Sequence, residues 1–211
     1  MERIDRYAIA LIVGGSILTA SVVTALTMWH EPTAPVQAAA THPVAAQVVA
    51  AKQPLHEQLV IATGDMLGND DLPAYVPSAL TLPADTDVTI TVVNFDDPTA
   101  LAAGSEQYAV ATGVVGKVSV QALDPKNPNA DAPATLVNSM DPQTGVSHTF
   151  TIAKLGINVP IAPMSKTTFT IHTGKAGTYE WQCMDPCGSG DSGWGGAMST
   201  TGFMRGTLTI V

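Results

Sequence analysis

From residue 57 to the C-terminus, no stretch sustains the 3.6-residue spacing of apolar positions that an amphipathic helix needs. The region is instead broken into short β-branched runs separated by Pro, Gly, Asn and Asp: "LVIAT" (59–63), "ALTLP" (79–83), "DVTITVVNF" (87–95), "GKVSVQAL" (116–123), "SHTFTI" (147–152), "KTTFTIHT" (166–173), "GTYEWQC" (177–183) and "RGTLTIV" (205–211). Most alternate apolar with polar residues, as half-buried strands do. Eight such runs with turn signals between them predict an all-β domain, an antiparallel sandwich or barrel. The stretch "FDDPTALAAGSEQYAVATG" (95–113) has neither period and reads as a loop or a short helix.

The N-terminus is of another kind. "YAIALIVGGSILTASVVTALTMW" (7–29) carries no charge and is long enough to cross a hydrocarbon core of ~30 Å. Tyr7 and Trp29 stand at its ends, where amphipathic rings favour the headgroup layer. Arg3 and Arg6 precede it and the next basic residue is Lys52, so the expected orientation leaves the N-terminus in the cytoplasm and the rest outside. A signal peptide ending near "VQAAA" (36–40) is the competing reading, although the apolar run is long for one. Residues 1–30 are therefore expected to be a single-pass anchor in the cell membrane. Residues 31–56, rich in Pro and Ala without periodicity, are expected to be a tether, and 57–211 an extracytoplasmic β-domain. His42 and His56 fall in the tether and read as solvated.

With 9 Lys and Arg against 18 Asp and Glu, the formal net charge is −9. Such a balance excludes nucleic acid and suits a basic partner. The chain shows no nucleophile triad, acid-base pair or phosphate-binding loop; "GSGDSGWGG" lacks the strand and helix that a nucleotide fingerprint needs. Autonomous catalysis is not expected.

The chain's two cysteines sit together in "YEWQCMDPCGSG" (179–190). Tyr179, Trp181 and Cys183 share one parity of the strand, which points Cys183 inward, and Cys187 opens the following loop. In "SHTFTI", His148 shares parity with Phe150 and Ile152, so its imidazole faces the core at the start of a strand. Met204 immediately precedes the closing strand. An imidazole, two thiols and a thioether at strand ends make a soft donor set of the kind that selects copper. His172 has the opposite parity to Phe169 and Ile171 and reads as facing water, and Trp181 reads as a core anchor.

The succession "SHTFTIAKLGINV", "AGTYEWQCMDPCG" and "MRGTLTIV", after one anchor and a tether, resembles the cupredoxin domain of subunit II of haem-copper cytochrome oxidases, which carries the binuclear CuA centre. The likeness covers about residues 79–211 and is most specific in its C-terminal part. It implies a cupredoxin-like sandwich with copper held by His148, by Cys183 and Cys187 as bridging thiolates, by Met204, and by the backbone carbonyl of Asp185. It also implies electron transfer from a basic donor such as cytochrome c to the catalytic subunit of an oxidase.

The family's second histidine is missing: "GSGDSGWGGAMSTTGF" (188–203) contains none, and brings Trp194 and Met198 instead. Several states of the cysteine pair therefore stay open. They are a disulfide or metal-free site, a binuclear centre completed by Met198 or a loop carbonyl, and a single copper on His148, one of the cysteines and Met204. The corresponding alternatives to an electron relay are a structural oxidase subunit with a degenerate site and a free-standing tethered copper-binding or copper-delivery protein.

Overall fold

The computed structural model describes residues 55–211 except 69–71, 125, 128–129 and 131. Among the described residues no helix is long and apolar enough to cross a membrane; the apolar span at 7–29 and nearly all of the tether lie outside them.

Among the described residues eleven strands form two sheets. The first contains β1 (Leu55–Ala62), β2 (Ala74–Val76), β4 (Asp87–Asn94), β5 (Val118–Ala122), β6 (Thr135–Val137) and β9 (Ser165–His172), in the order β2-β1-β4-β9-β5-β6. The second contains β3 (Ala79–Leu82), β7 (His148–Ile152), β8 (Ile157–Ile161), β10 (Gly177–Gln182) and β11 (Arg205–Ile210), in the order β3-β11-β10-β7-β8. Among the described residues helix is confined to a four-residue turn, α1 (Gly64–Leu67), and three 3-10 turns. Alternation in β4, β9 and β11 maps directly onto burial, with every second residue turned into the core.

The expectation of a purely antiparallel sandwich is corrected in two places. β1 pairs parallel to β4, and β3 parallel to β11. Parallel neighbours need a crossover. The chain provides one by passing from β1 and β2 to β3 in the other sheet before returning as β4. β1 also starts at Leu55, inside the stretch read as tether, and pairs along β4 from Leu55↔Val88. His56 is exposed there, with Nε2 2.9 Å from Thr91 Oγ1.

Between the sheets Trp181, Phe150, Phe169 and Tyr75 form one aromatic cluster. Ring centroids lie 4.7 Å apart for Tyr75–Trp181, 5.4 Å for Phe150–Trp181 and 5.8 Å for Phe150–Phe169. Such edge and tilted contacts are worth roughly 0.5–1.5 kcal/mol each beyond burial. Trp181 lies on Gly206 of the neighbouring strand, where a Cβ would overlap the Trp181 ring and the Ser78 carbonyl oxygen.

β7 is buried along its whole length. Its outward residues Thr149 and Thr151 are covered rather than wet: their hydroxyls lie 3.0 Å apart, Thr151 donates to Asn158 Oδ1 at 2.7 Å, and Asn158 Nδ2 donates to the carbonyls of Tyr108 and Val110. The segment that covers this face is the aperiodic 95–113 stretch, a loop with a single 3-10 turn at Glu106–Ala109. It meets Asn158 of β8 with the carbonyls of Tyr108 and Val110 and with a reciprocal backbone pair from Thr112, contacts that no periodicity announces.

At one end of the sandwich, His172 is exposed and bonded at both ring nitrogens, Nδ1 to Asp87 Oδ1 at 2.8 Å and Nε2 to Asp85 Oδ1 at 3.0 Å. Carboxylate oxygens only accept, so both nitrogens must carry protons, and the bonds from Asp87 and then Asp85 raise the His172 pKa. A raised pKa contributes stability that is present below the unfolded value and lost as pH rises through the folded one.

Two outcomes follow. Gly206→Ala should lower stability by about 1–3 kcal/mol in denaturant titrations, because the ring and carbonyl cannot both give way. His172→Gln should lower the thermal midpoint at pH ~6, below the ordinary histidine pKa of ~6.5, with the gap to the parent closing as the solution is made alkaline.

Candidate metal centre

At the opposite end, β4 finishes at Asn94, β9 begins at Ser165, β7 begins at His148 and β10 finishes at Gln182. Strand β10 touches β7 through one pair, Gln182↔Thr151, after which its backbone leaves the ladder. Thr149 N–H then lacks a carbonyl partner and donates to the Cys183 sulfur at 3.3 Å instead. Cys183 N–H in turn donates to the Met204 carbonyl at 2.8 Å, which prolongs the β10–β11 pairing by one residue. "CMDPC" folds as a tight turn: Cys187 N–H donates to the Asp185 carbonyl at 2.8 Å, and Met184 N–H to Thr149 Oγ1 at 2.7 Å.

This turn brings three of the expected donors together. His148 Nδ1 lies 3.2 Å from Cys187 Sγ and 3.9 Å from Cys183 Sγ, and the sulfurs lie 3.7 Å apart. Both cysteines are free thiols at that distance, far beyond the ~2.05 Å of a disulfide. The Asp185 carbonyl oxygen is 3.3 Å from Cys183 Sγ. Met204 is fully buried just before β11 and holds Cys183 through its backbone. A thioether lies against a site thiol: that of Met198, 3.4 Å from Cys187 Sγ.

Met198 arrives there through the glycine-rich loop. Ser189 and Gly195 bond reciprocally, at 3.1 and 2.9 Å, and a 3-10 turn at Gly196–Met198 follows. A Cβ on Gly188 would overlap the Gly195 carbonyl and come within 2.9 Å of Met198 Cγ, so glycine is required where the loop closes on itself.

On the far side of the imidazole, His148 Nε2 lies 3.1 Å from Asp96 Oδ2. Asp96 belongs to the covering segment, and no motif pointed to it. The usable signal was a carboxylate directly after a strand that ends at the same pole.

The electrostatics follow from these contacts. Burial pulls the His148 pKa down, but hydrogen bonds to Asp96 and Cys183 more than reverse that and push it up to about 9. Asp96 is lowered by its bond to His148. Burial opposes ionisation of Cys183, yet its bonds with Cys187, His148 and Thr149 outweigh it and hold the thiol well below its usual range. Cys187 moves up, because it donates to Cys183 and is itself largely buried. The metal-free pair thus shares one proton and one negative charge. Asp185 is pushed up to about 7 by burial and by the Cys183 charge, and both its carboxylate oxygens are buried without a hydrogen-bond partner among the described residues.

Whether a soft metal fits can be judged from the spacing. Metal bonds of ~2.3 Å to sulfur and ~2.0 Å to nitrogen place neighbouring donors of a tetrahedron ~3.3–3.8 Å apart. The separations of 3.2, 3.4, 3.7 and 3.9 Å found here bracket that range. The site suits one soft ion on His148, Cys183 and Cys187, with the Met198 thioether lying against Cys187 as a further sulfur donor.

No family model matches the chain, and no curated protein matches it in sequence. Among solved structures it is similar to auracyanin B, with 17% identity over 76% of this chain and 92% of that one, at a TM-score of 0.34. It is also similar to auracyanin from Roseiflexus castenholzii (13%, 74% and 96%, 0.32) and to a purple cupredoxin from Nitrosopumilus maritimus (15%, 74% and 99%, 0.29). Likeness at these scores carries no argument. The domain's own strand order describes a mostly β, two-sheet sandwich with few helices among the described residues, with the donor cluster at one pole.

The shared charge has a direct readout. In metal-free protein, ultraviolet thiolate absorbance should show one thiolate persisting at pH ~7, below the ordinary cysteine pKa of ~8.5, and lost in Cys183→Ser. His148→Gln should shift its appearance toward higher pH.

Proposed function

We infer that residues 57–211 form a copper-binding electron relay. In this reading the N-terminal anchor and tether hold it outside the membrane, beside the catalytic subunit of a haem-copper oxidase, where it receives electrons from a basic donor such as cytochrome c. The observation that supports it most is the convergence of one imidazole nitrogen, two thiol sulfurs and one thioether sulfur at donor spacing in a buried pole.

Copper bound there would supply one-electron redox chemistry. The chain's own residues supply the surroundings. His148 is held between Asp96 and the sulfurs, Thr149 N–H donates to Cys183, and the β10–β11 pairing fixes Cys183 from behind. Burial excludes water from His148 and Cys183. A donor set held by hydrogen bonds on both sides rearranges little when the charge it carries changes. The net charge of −9 favours encounter with a basic donor.

One observation favours a second reading, a tethered protein that holds or delivers copper(I). Of the other described histidines, His56 sits on Thr91 and His172 on Asp85 and Asp87, so among the described residues a single imidazole serves the site. A sulfur-rich set with one nitrogen suits copper(I).

The test is to load the full chain, purified in detergent, with copper and record absorption and EPR spectra. A hyperfine pattern shared by two coppers supports a binuclear relay, and an intense thiolate-to-copper band with single-copper hyperfine supports a mononuclear one. A stoichiometric EPR-silent copper(I) complex that resists oxidation supports the holding protein instead. Cys183→Ser should abolish all three signals. Failure of the native chain to co-purify with a haem-containing subunit would count against the oxidase assignment.

A further inference from the structure

Asp96 is held far more firmly than a loop carboxylate needs to be. Its N–H donates to Asn94 Oδ1 at 3.0 Å, and its carbonyl accepts from Met164 N–H at 3.1 Å. Asn94 is fully buried and is itself fixed by donating to the Ala162 carbonyl at 2.9 Å. Met164, in the turn between β8 and β9, has a φ of 41°, in the left-handed region that a non-glycine residue enters at a cost. That strained turn presents the N–H that grips Asp96.

The two carboxylate oxygens are divided between different tasks. Oδ1 accepts from Asp97 N–H at 2.9 Å, which fixes the plane of the group, and Oδ2 faces His148 Nε2 at 3.1 Å. The His148 side chain is 0% exposed whereas that of Asp96 is 32% exposed. Asp96 therefore stands between the buried imidazole and a surface cavity of about 210 Å³ lined also by Thr63, Gly64, Asp65 and Pro73.

We propose that Asp96 is the positioning residue of the metal centre. Pinned by Asn94 and Met164, it takes the Nε2 proton of His148 in a hydrogen bond and leaves Nδ1 aimed at Cys183, Cys187 and Met198. A ring turned over about its Cβ–Cγ bond would put Cδ2 where Nδ1 now faces the sulfurs and Cε1 where Nε2 now faces Asp96, losing both contacts. A carboxylate locked on one side removes that alternative, and partners of this kind orient ligating histidines and raise their basicity. The proposal rests on the reading of the cluster as a copper site, but the ring orientation stands independently of it.

The experiment uses the full chain with Asp96→Ala and Asp96→Asn. In metal-free parent protein, the His148 Nε2–H should give a slowly exchanging cross-peak in the nitrogen–proton spectrum. Asp96→Ala should lose it, and Asp96→Asn, whose amide oxygen still accepts, should retain it in weakened form. Copper(I) affinity, measured by competition with a chromogenic chelator, should fall about 10- to 100-fold in Asp96→Ala and less in Asp96→Asn. A cross-peak that persists in Asp96→Ala, or an affinity unchanged by it, overturns the proposal. If the parent takes up no copper(I) while the cross-peak responds as expected, the copper reading fails and the positioning role stands.

Discussion

A histidine at the start of a strand that is buried on both faces has to find both of its hydrogen-bonding partners inside the protein. β7 is such a strand, because the 95–113 segment covers the side that a sandwich usually leaves to water. Leaving one ring nitrogen unpaired there would cost about 1–3 kcal/mol, and a charged ring would cost more. His148 avoids both costs by lying between a carboxylate on one side and sulfur on the other. Asp96 and Cys183 are each held ionised by what they touch, so the three groups form an alternating row of charge, negative, positive, negative. Removing the central imidazole would leave two negative charges, with that of the fully buried Cys183 unpaired in a dry place.

That row depends in turn on where the strands stop. Cys183 is inward-facing because Trp181 is, and Trp181 is placed by Gly206, the one position on β11 where a side chain would collide with it. The aromatic cluster thus sets the depth at which the cysteine turn begins. Tyr75 links the two regions: its ring packs edge-on to Trp181, and its hydroxyl donates to the carbonyl of Thr149, whose N–H donates to the Cys183 sulfur. Burial, and then the nearby Cys183 charge, raises the tyrosine's pKa and keeps it a neutral donor. Core packing and site electrostatics are connected through a single residue, Thr149.

How much of this could be read beforehand depended on whether a feature is local. The strands β4, β9 and β11 were legible because one face is buried and the period of two shows through. β8 was not, since all five of its residues are buried and Pro160 interrupts it, and β2 and β6 are too short to have a period. The parallel pairings were illegible because adjacency between layers leaves no mark on spacing. At the site, His148 and both cysteines could be named because strand parity and order along the chain bring them to one pole. Asp96 reaches His148 from 52 residues away in an aperiodic segment, where only the fold makes the contact. Met198 and Met204 are both fully buried and both flank the last loop, and composition does not distinguish them; the path of that loop brings Met198 to Cys187.

That path explains the unusual glycine content of residues 188–196. At this pole the Cys187 thiol calls for a soft neighbour that can lie against it. A thioether on a flexible, unbranched side chain meets that need, provided that the backbone can double back closely enough to deliver it. The Ser189–Gly195 arc does so only because no Cβ stands at Gly188, where the returning carbonyl and the Met198 side chain pass, or at Gly193, where the Pro186 carbonyl passes. Gly190 and Gly193 adopt positive φ angles of 83° and 68° to close the turn. The loop is therefore a tightly bonded arm whose end, Met198, is 1% exposed, while Trp194 on its outer side remains 40% exposed. A thioether against Cys187 shifts the donor balance toward sulfur, and the glycines supply the close approach that delivers it.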